Sequence, residues 1–347
     1  MNLIALQHDI IEYSPVAAAG TGRGHNKRLG SVRSGRDGVL ETFVESLKGA
    51  DLPARLRAGL IGEGAPLAGP FGTRPLLYAD YVASGRGLRQ VEDFILERVL
   101  PYYANSHTEA SYCGAFCTRL REEARRTIAR CVGAGQDCSV IFTGAGATAG
   151  INRLVRLLDV AGTVARGEGA VVFHGPYEHH SNILPWRESG AEVVEIPEDD
   201  AGGPELTALE AALAEHAEVA LKVGAFSAAS NVTGILTDVD AVTALLRRRG
   251  ALAVWDYASG APYLAMAMGA GETAKDAIVF SPHKFTGGPG ASGILAIRDA
   301  IVRTDRPTAP GGGSVTFVSP WGHAYSDSLA AREEAGTPNV VGDIRAA

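Results

Sequence analysis

The stretch of sequence that decides the fold is AIVFSPHKFTGGPGASGIL, residues 277–295. Its first part, Ala277–Ser281, is mostly apolar and predicts a buried strand, and Gly293–Ile297 predicts a second one. Between them Lys284 precedes a glycine-rich turn, in a chain that has only five lysines. A lysine held against a buried site can lose its proton and act as an amine nucleophile. The stretch therefore predicts a reactive amine at the end of a buried strand.

Upstream of this stretch, short apolar runs alternate with amphipathic segments. Five of the runs predict strands: Ser139–Thr143, Ala170–His174, Glu192–Ile196, Val219–Phe226 and Leu252–Trp255. Three of the segments between them predict helices: Ala147–Leu158, Glu205–His216 and Val239–Arg249. Apolar strands separated by helices predict an α/β fold with a mainly parallel seven-stranded sheet between helices. Ligands bind at the carboxyl ends of such strands, so the residues that follow each strand form the candidate site.

The first of these strands is followed by GAGAT, residues 144–148, at the start of a predicted helix. Glycines let the backbone approach an anion closely, and the free N–H groups at a helix start attract it. Thr148 adds a hydroxyl group. The pattern therefore favours a phosphate site over a merely tight strand–helix turn. It also matches a weak dinucleotide fingerprint, which leaves a Rossmann-type NAD-dependent oxidoreductase as an alternative.

Polar side chains follow three other predicted strands: the histidine pair at 179–180, Asn231 and Asp256. Taken alone, the histidines are typical of polar packing or of a surface, and Asp256 could cap the next segment. A carboxylate that ends an apolar strand is costly to bury unless it meets a cation or several donors. With Lys284 and the phosphate loop, however, these residues supply what pyridoxal 5'-phosphate needs. They offer an amine for the imine, a carboxylate for the pyridine nitrogen, an imidazole to stack on the ring and a phosphate cradle.

Composition narrows the classes of function. The chain has 347 residues with 32 basic and 39 acidic side chains, and this balance argues against a nucleic-acid partner. No apolar run reaches the ~18 residues of a membrane span. The first residues lack the features of a signal peptide, and a cytoplasmic protein is therefore expected. The four cysteines match neither a zinc pattern nor a disulfide framework, so no metal site is predicted: Cys113, Cys117, Cys131 and Cys138.

Nine motifs, taken in chain order, resemble those of the class V aminotransferase and cysteine desulfurase family. The architecture of that family is fold type I, the aspartate aminotransferase-like fold of pyridoxal-phosphate-dependent transferases. The motifs are YADYVAS (78–84), YYANSH (102–107), IFTGAGATAGIN (141–152), EHHSNILPW (178–186), SNVTG (230–234), WDYASGAP (255–262), FSPHKFTGGPGASGIL (280–295), GGGS (311–314) and EAGTPN (334–339). One such motif is weak evidence, but nine in the family's order are specific.

The resemblance implies a role for each residue singled out above. Lys284 and His179 would be the catalytic residues: Lys284 as the Schiff-base lysine that also moves a proton at the substrate Cα, His179 as the ring that stacks on the cofactor. Asp256 would pair with the pyridine nitrogen, and Asn231 would donate a hydrogen bond to the phenolic oxygen. Ser259 stands beside that oxygen, where the desulfurases typically carry a glutamine. Four residues would hold the phosphate group: Ala147, Thr148, Ser281 and His283.

The resemblance also implies a partner. In the family the threonine of the GTPN turn, here Thr337, reaches the phosphate of the neighbouring subunit, so a homodimer with both sites at the interface is expected. Family members continue into a small C-terminal domain that carries the substrate-carboxylate arginine and, in desulfurases, the nucleophilic cysteine. Neither residue can be assigned in this sequence.

The chain is predicted to divide into three parts. Residues 1–70 form an N-terminal extension with a flexible loop at 20–38, and residues 71–300 form the large cofactor-binding domain. Residues 301–347 form an interface segment and the start of a truncated C-terminal region. The expected function is that of a pyridoxal-phosphate-dependent enzyme acting on an amino acid or amine, by amino transfer, desulfuration or related chemistry. A cofactor-binding homologue with impaired catalysis is the alternative.

Overall fold

A computed structural model describes residues 38–106 and 110–347. Residues 1–37 of the predicted N-terminal extension lie outside the described residues, and with them the whole predicted loop at 20–38 except Gly38. His107 of the YYANSH motif lies outside them as well. The helices are α1 (Val39–Leu47), α2 (Leu52–Gly59), α3 (Arg89–Phe94), α4 (Tyr112–Cys131), α5 (Gly146–Leu157), α6 (Val160–Ala165), α7 (Leu184–Glu188), α8 (Leu206–Glu215), α9 (Val239–Arg248), α10 (Leu329–Glu333) and α11 (Val340–Arg345).

The strands form one large sheet and two hairpins. They are β1 (Pro66–Gly69), β2 (Gly72–Pro75), β3 (Cys138–Gly144), β4 (Ala170–His174), β5 (Glu192–Glu195), β6 (Leu221–Ser227), β7 (Leu252–Asp256), β8 (Ala277–Phe280), β9 (Gly293–Arg298), β10 (Val315–Ser319) and β11 (Gly322–Tyr325). The seven-stranded sheet has the order β3-β9-β8-β7-β6-β4-β5. Each of the seven predicted strands is present in it.

The sheet is mainly parallel, as predicted, with one exception. Strands β5, β4, β6, β7 and β8 pair in parallel, whereas β9 is antiparallel to both of its neighbours, β3 and β8. The reason is the connection from β8 to β9, which contains only the short 3₁₀ turn Pro282–Lys284 and no crossover helix. Because β9 lies reversed between them, β3 and β8 run in the same direction. The carboxyl ends of β3, β4, β6, β7 and β8 therefore meet at one edge of the sheet.

Apolar layers cover both faces of the sheet. Alternate residues of β4 belong to different layers: Val171 and Phe173 pack in one, Ala170 and Val172 in the other. Helices α4, α8 and α9 bury apolar side chains in the first layer, and α5 does so in the second. Helix α5 lies close to the sheet at Gly150, where a Cβ atom would come within 3.1 Å of Val279 Cγ1. This packing fixes the start of α5 at the carboxyl edge.

Several elements lie outside the sequence-based prediction. Helix α4, both hairpins and helices α10 and α11 were not predicted. Helix α4 begins at the cap Ser111, whose hydroxyl accepts a hydrogen bond from the Gly114 N–H, and it carries three of the cysteines. All four cysteines are free thiols.

None of the helices in the described part of the chain is long and apolar enough to cross a membrane. The same residues contain no group of three or more His, Cys, Asp or Glu side chains arranged to hold a metal ion. The division of the chain at residues 70 and 300 stays a prediction.

Candidate cofactor site

A cavity of about 940 Å³ opens at the carboxyl edge of the sheet. The ends of β3, β6, β7 and β8 and the loop after β4 contribute to its walls. All but one of the predicted site residues line it: Ala147, Thr148, His179, Asn231, Asp256, Ser259, Ser281, His283 and Lys284. The exception is Thr337, which is exposed and was predicted to act in the neighbouring subunit; that role stays a prediction. The fold therefore brings residues from distant parts of the chain to one place.

The loop between β3 and α5 has a backbone that only glycine adopts readily. Gly144 and Gly146 have φ angles of +81° and +62°, in the left-handed region. The N–H of Ala147 donates a hydrogen bond to Ser281 Oγ at 2.8 Å, and the hydroxyls of Thr148 and Ser181 are 2.7 Å apart. A Cβ atom at Gly144 would meet nothing within 4 Å, so the loop borders open space. The start of α5 can therefore receive an anionic group beside these donors.

The backbone around Lys284 is held in place by the segment at Gly85. The N–H of Gly85 donates to the carbonyl of His283 at 3.0 Å, directly before the lysine. A Cβ atom at residue 85 would lie 1.8 Å from the Phe285 carbonyl oxygen, so the approach requires glycine. Burial lowers the pKa of Lys284, and the negative charges of Asp256 and Asp80 oppose that shift without cancelling it. The lysine amine is therefore easier to deprotonate than an exposed one.

Asp256 is the last residue of β7 and is buried. One carboxylate oxygen accepts a hydrogen bond from the Ala258 N–H at 2.7 Å. Burial raises the pKa of Asp256, and the Ala258 hydrogen bond and the charges of Lys284 and His179 only partly offset it. A carboxylate in this situation gains from a cationic or N–H donor ligand that enters the cavity.

The two histidines of the cavity are held differently. His179 is exposed, and its Nδ1 accepts a hydrogen bond from the Ser181 N–H at 3.1 Å. In a neutral ring the proton is therefore on Nε2. His283 is half-buried; burial, followed by the charge of Lys284, lowers its pKa. His283 can thus donate one N–H to an anion without carrying a full charge of its own.

Asn231 and Ser259 line the cavity from the loops after β6 and β7. The hydroxyl of Ser230 accepts hydrogen bonds from the N–H groups of Val232 and Thr233, which forms a tight turn that presents the Asn231 side chain. The Ser259 hydroxyl donates to the Ala229 carbonyl at 2.6 Å, so it joins the two loops. Its proton is directed at the protein, which leaves Asn231 as the amide donor of this wall.

Sequence reasoning overlooked Asp80, Glu178 and Ser227. Asp80 and Ser227 line the cavity, and Glu178 accepts hydrogen bonds from Ser227. Glu178 stood next to the predicted His179 in a loop after a buried strand, and that position was the available signal. Ser227 ends β6, and the same rule that selected Asp256 at the end of β7 would have selected it. Asp80 carries no such signal, because it precedes the sheet and meets Lys284 only in the folded chain.

The topology does not support the dinucleotide alternative. A Rossmann site needs β3, α5 and the next strand, β4, to form one unit with adjacent parallel strands. In this sheet β3 lies at one edge beside β9, whereas β4 lies near the opposite edge. Strand β4 also ends at His174, at the position where a dinucleotide site would have an acidic residue.

Comparison with known proteins gives a consistent family. The model of the aminotransferase class-V family matches residues 77–346. A probable cysteine desulfurase of Vibrio cholerae is 32% identical over 274 residues, 78% of this chain and 65% of that protein. One from Halalkalibacterium halodurans is 30% identical over 274 residues, 78% of this chain and 64% of that protein. The chain thus spans just under two thirds of the length of these relatives.

Solved structures give the same result for the fold. An apo cysteine desulfurase from Thermococcus onnurineus NA1 superposes with a TM-score of 0.66 at 27% identity, covering 78% of this chain and 65% of that one. The cysteine desulfurase CsdA from Escherichia coli has a TM-score of 0.66 at 24% identity, over 85% of this chain and 69% of that one. The predicted fold class, fold type I with a mainly parallel seven-stranded sheet, is confirmed.

Proposed function

Because the chain belongs to the aminotransferase class-V family, we propose that it is a pyridoxal-phosphate-dependent enzyme acting on an amino acid or amine. The observation that carries the proposal is the shared cavity of Lys284, Asp256 and the start of α5. An amine, a carboxylate and an anion site in one cavity are the groups that this cofactor requires. The names of the relatives favour cysteine desulfuration, with amino transfer as the other reaction of the family.

The described residues fit this cofactor. The open space at Gly144 and the donors around it suit the phosphate: the N–H groups at the start of α5, Thr148, Ser281 and His283. Asp256 suits a protonated pyridine nitrogen, because the cation would relieve the cost of burying the carboxylate. Asn231 suits the phenolic oxygen, and His179 suits the face of the ring. Bound through Lys284, the cofactor supplies an electron sink for bonds at the substrate Cα.

The side chains of this chain then have distinct tasks. The lowered pKa of Lys284 favours its neutral amine, which can accept a proton from the substrate Cα and return it. A charged Asp256 beside the ring nitrogen would hold a proton on that nitrogen, and the cation would in turn offset the burial of the carboxylate. His179 covers one side of the cavity and limits the access of water to that side.

We also propose that the protein acts as a homodimer. Thr337 is exposed, and the N–H of the preceding Gly336 donates to the Gly312 carbonyl at 2.7 Å, which fixes the turn that carries the threonine. The hairpin β10–β11 and its turn present three exposed large apolar side chains, Phe317, Val318 and Trp321. Both features favour a second copy of the chain against this face, with Thr337 at the phosphate of the neighbouring site.

Covalent trapping tests the proposed function. Purified protein incubated with pyridoxal phosphate and reduced with borohydride should carry a pyridoxyl group on Lys284, located by peptide mass spectrometry. Lys284→Ala should lose this adduct and the yellow colour entirely, because no other amine lines the cavity among the residues described for it. Lys48→Ala, at an exposed lysine, is the matched control and should keep both.

A wild-type protein that stays colourless, or an adduct on another lysine, would contradict the proposal. Release of alanine and sulfide from cysteine would identify a desulfurase, and amine transfer to a 2-oxo acid would identify an aminotransferase. A stable adduct with no turnover on any amino acid would identify the impaired homologue.

A further inference from the structure

Glu178 is an acidic residue behind the cavity wall, hydrogen-bonded to the lining residue Ser227, and the proposed cofactor site does not use it. The residue is half-buried, and its carboxyl group is enclosed by the protein. Its Oε1 accepts a hydrogen bond from the Ser227 N–H at 2.8 Å, and its Oε2 accepts from the Ser227 hydroxyl at 2.6 Å. Asn182 Nδ2 donates a third bond to Oε2 at 2.7 Å. The carboxyl therefore ties the loop after β4 to the end of β6.

The loop side of this tie is rigid. The Asn182 side chain is fully buried, and its Nδ2 also donates to the Ala225 carbonyl of β6 at 3.2 Å. Its Oδ1 accepts a hydrogen bond from the indole N–H of the buried Trp186 at 3.3 Å. His179 lies between the two anchored residues Glu178 and Asn182, so the position of its ring depends on both.

The sheet side of the tie leads to Asp256. Ser227 and Asp256 are paired in the register of β6 and β7, and the Ala228 N–H donates to the Asp256 carbonyl at 2.9 Å. Ser227 itself lines the cavity. Glu178 is thus bonded to the residue that stands beside the cavity carboxylate, one strand away from it.

The electrostatic environment of Glu178 agrees with a structural use of its carboxyl. Burial raises the pKa of Glu178 to about 7, the hydrogen bonds from Ser227 and Asn182 oppose the shift, and the charge of Asp256 adds to it. Two carboxyl groups near one another cannot both be charged at low cost. The three donors around the Glu178 carboxyl favour its charged form and so offset part of that cost.

We propose that Glu178 is a positioning residue, which holds the His179 ring at the cavity by tying its loop to β6 beside Asp256. The tie needs no cofactor, but its consequence for cofactor binding rests on the proposed function. Glu178 acts through His179 and Ser227 and touches neither substrate nor cofactor.

The test compares Glu178→Ala, Glu178→Gln and the control Glu188→Gln, an exposed glutamate ten residues along the chain. Alanine removes all three bonds. Glutamine still accepts from the Ser227 N–H but offers an N–H₂ group to the Asn182 amide, so it keeps only part of the tie. The first readout is the Cε1–H NMR signal of His179 in the apoprotein, assigned with His179→Asn. The second is the Kd for pyridoxal phosphate, measured by equilibrium dialysis.

We expect the His179 signal to shift and broaden in Glu178→Ala, to shift less in Glu178→Gln and to stay in place in Glu188→Gln. The Kd should rise about tenfold or more in Glu178→Ala, with partial rescue by glutamine. An unmoved His179 signal, or a wild-type Kd in Glu178→Ala, would overturn the proposal. If Glu178→Ala does not fold, an unmoved signal in Glu178→Gln overturns it. A wild-type protein that binds no pyridoxal phosphate would refute the proposed function, and the His179 signal alone would then decide this inference.

Discussion

Asp256 at the cavity and Glu334 between α10 and α11 are both buried acids, but they are surrounded differently. The Asp256 carboxylate accepts one backbone N–H, and burial keeps its pKa raised. Burial would also raise the pKa of Glu334, yet the hydrogen bond and charge of Arg125, with the charge of Arg121, bring it below its ordinary value. Two arginines of the protein compensate the charge of Glu334, whereas the burial of Asp256 would be compensated by a cationic ligand in the cavity. In this pair of acids, the one without full compensation lies at the cavity and the compensated one lies in the scaffold.

The surroundings of Glu334 form a clasp, defined here as Arg121, Arg125, Glu334 and Asp343. Arg125 donates to both Glu334 oxygens, at 2.7 and 2.8 Å, and Arg121 donates to Glu334 and to Asp343. The Phe142 N–H of β3 also donates to Glu334 at 2.7 Å. Asp343, with one arginine, keeps a pKa that burial raises, so a single cation does not offset the burial of a carboxylate here. The clasp joins α4 and β3 to the C-terminal helices.

Glu334→Gln should cause the largest loss of stability. The change leaves Arg125 buried with only one acidic partner, Glu122, and leaves Arg121 with Asp343 alone. Removing one partner from a buried ion pair costs about 3–5 kcal/mol, because the remaining charge is uncompensated. Urea unfolding of the apoprotein, followed by far-UV circular dichroism, measures the change in the free energy of unfolding. A loss below about 1 kcal/mol would mean that the clasp does not stabilise the packing of the C-terminal helices.

The pH dependence of the same variant follows from the sign of the shift. The pKa of Glu334 is lower in the folded protein than its ordinary value near 4.5. Its charge therefore stabilises the fold fully above that value, and the contribution is lost as the pH falls through the lowered pKa. The difference between wild type and Glu334→Gln should be constant at neutral pH and shrink in acid. A difference that grows in acid would contradict the assignment.

How far the sequence could foresee these two regions follows from how local each signal is. His179, Asp256 and Lys284 each follow an apolar strand, so the strand pattern and the rule for strand ends were enough to place them in one site. Arg121 and Glu334 are 213 positions apart, and no local pattern pairs them. Helix α4 had a local signal that was overlooked: residues 117, 120, 124 and 128 are buried at helical spacing. The reversed β9 could have been foreseen from the short loop before it, which leaves no room for a crossover helix.

Asp256→Asn should have the opposite effect on the apoprotein. The amide keeps an oxygen that can accept the Ala258 N–H, and it removes a buried charge that nothing in the apoprotein fully compensates. The free energy of unfolding at neutral pH should stay the same or rise, by up to about 2 kcal/mol, while the Kd for pyridoxal phosphate rises. Urea unfolding and equilibrium dialysis of one preparation measure both quantities.

The gain from Asp256→Asn should also depend on pH with a defined sign. The pKa of Asp256 is raised in the folded protein above its ordinary value near 3.8. Its charge therefore destabilises the fold at neutral pH, and this penalty disappears as the pH falls through the raised pKa to the ordinary one. The gain should vanish in acid. A variant that is less stable than wild type at neutral pH would show that Asp256 is compensated in the apoprotein, and the contrast with Glu334 would fail.

Glu210→Gln should have the smallest effect and serves as the matched control for Glu334→Gln. Glu210 of α8 also pairs with an arginine, Arg249, at 2.6 Å, but 51% of its side chain and 43% of that of Arg249 are exposed. Water solvates both charges before and after the change, so an exposed pair of this kind contributes less than about 1 kcal/mol. Salt should reduce even that, because exposed charges are screened over about 10 Å at 0.1 M. The same Glu→Gln change next to the same kind of partner then differs from Glu334→Gln in burial and in the number of partners, since Glu334 also accepts from a second arginine and from the Phe142 N–H. If urea unfolding gives equal losses for the two variants, burial is not what makes the clasp strong, and the raised pKa of Asp256 would no longer mark a ligand site.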